Sequence, residues 1–241
     1  MPENAPLGRQ RKKRMHRRGG AYMKDIVYGA NDGIITTFAV VAGVMGASLP
    51  PVTILLLGIA NLLADGFSMA TSNYLGTKSE LGYMGRERGV EEWEVRHLPA
   101  EERAEVRNIL ASRGYQGEDL EQLVRLIAKN KNFWVDFMMS EELGFAPHDA
   151  HSPLKSAAAT MVAFVLAGFV PIVPYLLLSA GSFAFFFAVL ATGAALFAVG
   201  SLRSLFTGKR WSVAGLEMLL VGGAAATIAY GTGALISSLV R

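Results

Sequence analysis

The chain has 241 residues, 51% of them hydrophobic, and a mean hydropathy of +0.32, more apolar than a soluble protein of this size needs. It contains no cysteine, which excludes thiolate metal sites and disulfides. The formal net charge of +3 hides a segregation: residues 79–153 hold 15 of the 20 acidic residues against nine basic ones, while RQRKKRMHRR crowds cations near the start.

Residues 1–22 read as a basic cytosolic tail with Gly19-Gly20 as a hinge. A Lys/Arg run abutting a membrane span is a topology and lipid-headgroup signal, so membrane lipids rather than nucleic acid are the expected partner. No cleavable signal is visible, because the basic start leads into a full-length span that carries Asp32.

Residues 23–78 read as two membrane helices, about 24–46 and 52–78, joined by an uncharged Gly-Ala-Ser-Leu-Pro-Pro turn. They nevertheless carry Asp32, Asn61, Asp65 and Asn73. A carboxylate in hydrocarbon costs at least ~2.5 kcal/mol on insertion scales, so such residues mark a bundle interior or an ion path. In the first helix Asp25, Tyr28/Gly29, Asp32 and Thr36 share one stripe; in the second Asn61, Asp65, Ser68/Met69 and Ser72 share another. Asp32 lies eight residues beyond Lys24, about 12 Å along a helix, and Met69 nine residues before Lys78, about 13–14 Å. With both lysines at one interface, Asp32 and Met69 are level and Asp65 is deeper, at about 20 Å. An oxygen ligand beside a thioether suits a borderline divalent transition metal better than Mg²⁺ or Ca²⁺. A lone Met in a span is more often packing than ligand; a carboxylate is not.

Residues 79–153 form a charged insert, expected as three helices. The first, to Leu98, continues the second span despite Gly82, Gly85 and Gly89. Pro99 opens the second and Gly114 closes it. The third, 118–143, breaks near Asn130-Lys131-Asn132, with Leu120, Leu123, Val124 and Ile127 as its apolar face. Glu91 pairs with Glu94, Glu102 with Glu105, and Met138/Met139 with Glu142 at helical spacing. Periodicity alone leaves a solvated acidic face as the plainer reading, and the doublets Glu91/Glu92, Glu101/Glu102 and Glu141/Glu142 leave the ligand choice open. Two thioethers exposed beside carboxylates have little structural reason. His148 and His151 are linker positions or a relay of metal to the spans.

Residues 154–241 hold three further apolar runs, about 154–178, 181–202 and 211–239, the first of them expected to kink or unwind at its end, at Pro171 and Pro174. Small residues such as Gly29/Gly33, Gly193/Gly200 and GGAAATIAYGTG favour close helix packing and a homodimer. Glu217, seven residues after Arg210, is either a pathway group or an interfacial one. Five spans put the termini on opposite sides. Arg203, Lys209 and Arg210 agree with the basic tail, and the connections at 46–51 and 178–183 are uncharged. The positive-inside rule thus puts the N-terminus and the insert in the cytosol and Arg241 outside.

The segments DIVYGANDGIITTFAVVAG and GFSMATSNYLGTKSE, and further on DFMMSEELG, resemble the vacuolar iron transporter family over nearly the whole chain beyond the tail. The resemblance implies an all-α membrane protein of five transmembrane helices with a three-helix cytosolic metal-binding insert between helices 2 and 3. It implies that Asp32 and Met69 line the metal pathway, and that Glu91, Glu94, Glu102, Glu105, Met138, Met139 and Glu142 bind metal in the insert. The family's second-helix pathway glutamate falls on Asn61 here, with Asp65 one turn further on as a substitute. Asp25 and Glu217 are further pathway candidates. The implied activity is export of Fe²⁺, with Mn²⁺ as a second ion, from the cytosol in exchange for protons. No resident cofactor is expected; the metal is both substrate and ligand of the insert. The expected location is a prokaryotic plasma membrane, or a vacuolar membrane in a eukaryote.

Two other functions fit some residues. Glu94-Val95-Arg96-His97 offers one E-x-x-H of a membrane-anchored di-iron ferroxidase, which needs two such motifs and two more glutamates. A metal sensor would use the insert alone, but has no use for Asp32 and Asp65 in the spans.

Overall fold

The run from Met23 has no proline and alternates small with branched residues, and it forms helix α1, Met23–Gly46. In the computed structural model, which describes residues 22–145, 152–178, 182–207 and 210–240, the described elements are helices. They are α1, α2 (Val52–His97), α3 (Pro99–Ser112), α4 (Gly117–Lys129), α5 (Lys131–Glu141), α6 (Pro153–Gly168), α7 (Val173–Leu177), α8 (Ser182–Thr207) and α9 (Trp211–Val240). The basic tail and the His148/His151 pair lie outside the described residues. The chain divides into two units: residues up to Tyr74 with those from Leu154 onward, and Leu75–Pro153.

In the first unit α1 is the axis. Its buried face runs Gly29, Ala30, Gly33, Ile34, Thr37, Phe38, Val41, Ala42. A Cβ on Gly29 would stand 2.5 Å from the Thr160 carbonyl oxygen, and one on Gly33 closer still to that of Phe164, so α1 and α6 touch backbone to backbone. At the other end of α1 the carbonyl of Gly43 meets Gly233 and that of Tyr230 meets Gly46, which seats α9 in the same way. Small residues thus let these helices approach where lipid supplies no hydrophobic drive. Phe38, Val41 and Val44 of α1 complete a core with Ile54, Tyr175, Ala184 and Ala188.

Among the described residues four helices are long and apolar enough to cross a bilayer: Met23–Gly46, Val52–His97, Phe183–Ser204 and Trp211–Val240. The third apolar run unwinds near its end, where Pro171 and Pro174 fall. It forms α6 of 16 residues, a turn at 169–172, and α7 of five residues. Pro171, which has no N–H to continue α6, is fully buried in that turn, and Pro174 sits in the first turn of α7, where a missing N–H does no harm.

In the second unit the end of α2 is followed by three helices, the stretch 118–143 being divided at its polar trio. The break falls at Asn130, extended at φ −110° and ψ 99°, whose side-chain oxygen accepts from the Phe133 N–H at 3.2 Å and so opens α5. Gly114, at φ 96°, takes the left-handed conformation that ends α3. Val95, Val106, Leu110, Val124, Ile127, Trp134, Val135, Met138 and Met139 form the core.

Gly82, Gly85 and Gly89 do not break α2, and a Cβ at any of them would meet nothing within 4 Å. Gly85→Ala is therefore expected to stabilise the protein by up to about 1 kcal/mol. Gly33→Ala must instead push α1 off α6, a loss of at least ~1–3 kcal/mol. Thermal unfolding of the two purified variants checks both signs; equal stability would show that the seam is slack.

Candidate metal centres

On α2 the buried positions Ile54, Gly58, Leu62 and Gly66 mark the packed face, and Asn61, Asp65, Met69 and Asn73 run beside it, all half-buried at four-residue spacing. This is the polar stripe anticipated, with Asn73 in place of Ser72; Ser68 and Ser72 are exposed. On α1, Asp32 is half-buried between Gly29 and Gly33, the residues whose close approach to α6 fixes the rotation of the helix. The Asp65 carboxyl of α2 lies near enough to act on that of Asp32 electrostatically. Counting from the flanking lysines put Met69 level with Asp32; the charged neighbour that the fold gives Asp32 is Asp65. Thr36 donates to the Asp32 backbone oxygen at 2.8 Å. Asn31 Oδ1 and Asn61 Nδ2 are enclosed and have no hydrogen-bond partner among the described residues. Buried polar atoms left without a partner are rare, and in an apolar span they fit a passage for polar species.

Asp25, in the first turn of α1, accepts from Asn73 Nδ2 at 3.0 Å, and the same nitrogen donates to Thr160 Oγ1 at 2.7 Å. Thr160 has no signal in the sequence: a lone threonine in SAAATMVA reads as background. Glu217 is ion-paired with Arg203 of α8. That pairing accounts for its charge without a transport role.

In the second unit, one carboxylate oxygen from each of Glu91, Glu94 and Glu102 lies within 4.8 Å of the others. Glu105 and Glu142 are close enough to act on them, so the five glutamates singled out from the sequence come together. Glu91 and Glu102 form a buried floor, Glu94 is half-buried, and Glu105 and Glu142 are exposed. The doublets resolve through their partners. Glu92 takes Arg88 and Arg96, at 3.4 and 3.5 Å; Glu141 takes Arg113 at 2.7 Å; Glu101 is exposed where Glu102 is buried. Arg88 also holds Asp136, and Arg107 holds Glu121 through two bonds of 2.7 and 2.8 Å. None of the five takes a described Lys or Arg within 4.0 Å.

The electrostatics follow from that exclusion. Burial first, and then the neighbouring carboxylates of Glu142, Glu102, Glu94 and Glu105, push the Glu91 carboxyl up to about 7. Burial and Glu105, Glu94, Glu142 and Glu101 do the same to Glu102, also to about 7, and Glu142 is raised by burial, Glu105 and Glu94. Glu91 Oε2 and Glu102 Oε2 are enclosed without a hydrogen-bond donor. A divalent cation is a species that could supply both the compensating charge and a partner for these oxygens.

The exposure expected of Met138 and Met139 is corrected: they are 0% and 7% exposed and belong to the core with Trp134 and Val135 rather than to the surface. His97 is exposed, its Nδ1 is 2.8 Å from the Trp93 carbonyl oxygen and its ring stacks on Trp93; the carboxylate group of Glu91, Glu94 and Glu102 does not include it.

Comparison with known proteins matches residues 23–234 to a model described as "VIT family". Vacuolar iron transporter 1 of Arabidopsis thaliana is 35% identical over 215 residues, covering 89% of this chain and 86% of that protein. The vacuolar iron transporter of Plasmodium berghei (strain Anka) is 33% identical over 226 residues, covering 90% of this chain and 83% of that one. Vacuolar iron transporter 2 of Oryza sativa subsp. japonica is 32% identical over 224 residues, with 93% and 91% covered.

Proposed function

The chain belongs to the VIT family, and from that premise we propose that it carries Fe²⁺ across a membrane, out of the cytosol, in exchange for protons. It is an integral membrane protein and a transporter rather than an enzyme, as its relatives are named. The observation that carries the transport reading is the pair Asp32 and Asp65, two carboxylates on neighbouring helices inside apolar runs. A sensor needs neither. Metal and protons compete for the same oxygens, so one site serves both ions in turn. Asp65 then does the work of the glutamate that the family places at Asn61, and Met69, on the same stripe, adds a soft donor that favours Fe²⁺ or Mn²⁺ over Mg²⁺.

The insert gathers metal on the cytosolic side through Glu91, Glu94, Glu102, Glu105 and Glu142. Met138 and Met139, which the resemblance adds to this ligand set, complete it with two soft donors. The basic flanks support a cytosolic N-terminus and insert, and the small-residue helices support a homodimer.

Purified full-length protein in sealed liposomes is the direct test. Fe²⁺ should cross, and a pH gradient acidic on the side that receives the metal should speed its entry and raise its final accumulation about tenfold per pH unit for each coupled proton, since one pH unit across the membrane is worth ~1.4 kcal/mol per proton. Rates that ignore both the gradient and a protonophore would remove proton exchange and leave facilitated diffusion. Vesicles that bind Fe²⁺ but never accumulate it would favour the sensor.

A further inference from the structure

Two acids stand near the ends of the first unit's helices, and the fold treats them differently. Glu217 meets a cation, Arg203. Asp25 pairs with no described Lys or Arg; its Oδ1 accepts from a neutral amide, Asn73 Nδ2, at 3.0 Å. An amide donor fixes a carboxylate's position and leaves its charge in place for a cation.

The amide is itself fixed. Asn73 Nδ2 donates at 2.7 Å to Thr160 Oγ1, and the Thr160 hydroxyl donates to the Ser156 carbonyl oxygen at 3.0 Å. Thr160 and Ser156 are 1% and 2% exposed, so the far end of the fork is anchored inside the bundle. The Thr160 backbone lies against Gly29, one turn along α1 from Asp25. Three helices therefore converge on one carboxylate. Asp25 precedes Asp32 by seven residues, about 10 Å along α1 towards its N-terminus.

We propose that Asn73, anchored by Thr160, is a positioning residue that presents the Asp25 carboxylate as the first ligand a divalent metal ion meets before it reaches Asp32 and Asp65. The inference rests on the transport reading. A pre-aimed carboxylate spends no ordering entropy when the ion arrives, so its loss appears in the concentration dependence of transport more than in the maximal rate.

Initial rates of Fe²⁺ transport by the full chain in liposomes test this. Asn73→Ala and Thr160→Val should each raise KM about tenfold, the scale of one lost hydrogen bond to a charged group, with Vmax within about twofold. Asp25→Asn should do the same, and Asn73→Ala added to it should change KM little further. Should Asn73→Ala fail to assemble, Thr160→Val, which removes only the anchoring oxygen, carries the same expectation. The exchanged pair Asp25→Asn with Asn73→Asp keeps a hydrogen bond between the helices but moves the carboxylate to α2. Its KM should stay raised. A normal KM in the exchanged pair, or single variants that lose Vmax and thermal stability with KM unchanged, would make the fork a helix brace and overturn the proposal. Failure of the transport reading itself would look different: the wild-type chain would move no Fe²⁺ in the same vesicles.

Discussion

Asp32→Asn is expected to abolish Fe²⁺ transport, by about 100-fold or more, while leaving a folded protein. A hundredfold loss is ~2.7 kcal/mol of barrier, small beside the value of an anionic ligand to a divalent ion in a low-dielectric site. The substitution keeps the volume and polarity of the side chain, and the Thr36 hydroxyl bonds the backbone oxygen of Asp32 rather than its carboxylate. The α1–α6 seam at Gly29 and Gly33 is untouched. Loss of transport with unchanged Tm is therefore the signature; wild-type rates at verified protein levels would sink the assignment. Asp65→Asn should cost at least about tenfold, less than Asp32→Asn if Met69 still shares the load. Adding Asn61→Glu to Asp65→Asn returns a carboxylate to the same stripe, one turn away, and should recover transport.

Much of this architecture was legible in the residues, because it follows from local chemistry. Proline and glycine mark the limits of α3, and a polar trio marks the break before α5, where Asn130 caps the next helix. What failed did so where tertiary contact decides. The Met138/Met139 pair looked exposed because its neighbours in sequence are acidic. Yet Trp134, Val135, Met138 and Met139 are spaced at i, i+1, i+4 and i+5, the stripe that the apolar face of α4 requires as a partner. The choice of Glu91 over Glu92 and Glu142 over Glu141 could come only from the family resemblance. Its physical cause lies in Arg88, Arg96 and Arg113, and only Arg88 and Arg96 are within one helical turn of the acid they take. The third run reads as a span by length and apolarity, and Pro171 and Pro174 mark where it unwinds; that the turn there is buried has no local signal. Thr160 was illegible because one hydroxyl in an alanine-rich helix matters only through a residue 87 positions away.

The five-glutamate cluster should make the metal-free protein less stable as pH rises, the reverse of ordinary acid denaturation. In the folded chain Glu91 and Glu102 hold their protons up to about 7, whereas unfolded glutamates release theirs near the ordinary value of 4.5. Between those limits the folded state carries more protons than the unfolded one, so stability is highest below about 4.5 and declines until the pH passes about 7. Both side chains are buried, at 5% and 4% exposure, and together they place on the order of a few kcal/mol on this slope. A divalent ion reverses it. Metal binds only the assembled cluster and displaces the protons, so at about a hundredfold excess over its Kd it adds ~2.7 kcal/mol at pH 7.5, on the order of 10 °C for a unit of this size, and almost nothing at pH 5. Unfolding of the full-length protein can be followed through Trp134, which is buried in the core of the same unit. Glu91→Gln with Glu102→Gln should raise Tm at pH 7.5 without metal, flatten the pH slope, and remove the response to Fe²⁺ or Zn²⁺. A metal-free Tm that climbs between pH 5 and 7.5, or a double variant that still responds fully to Zn²⁺, would return these glutamates to a solvated acidic face.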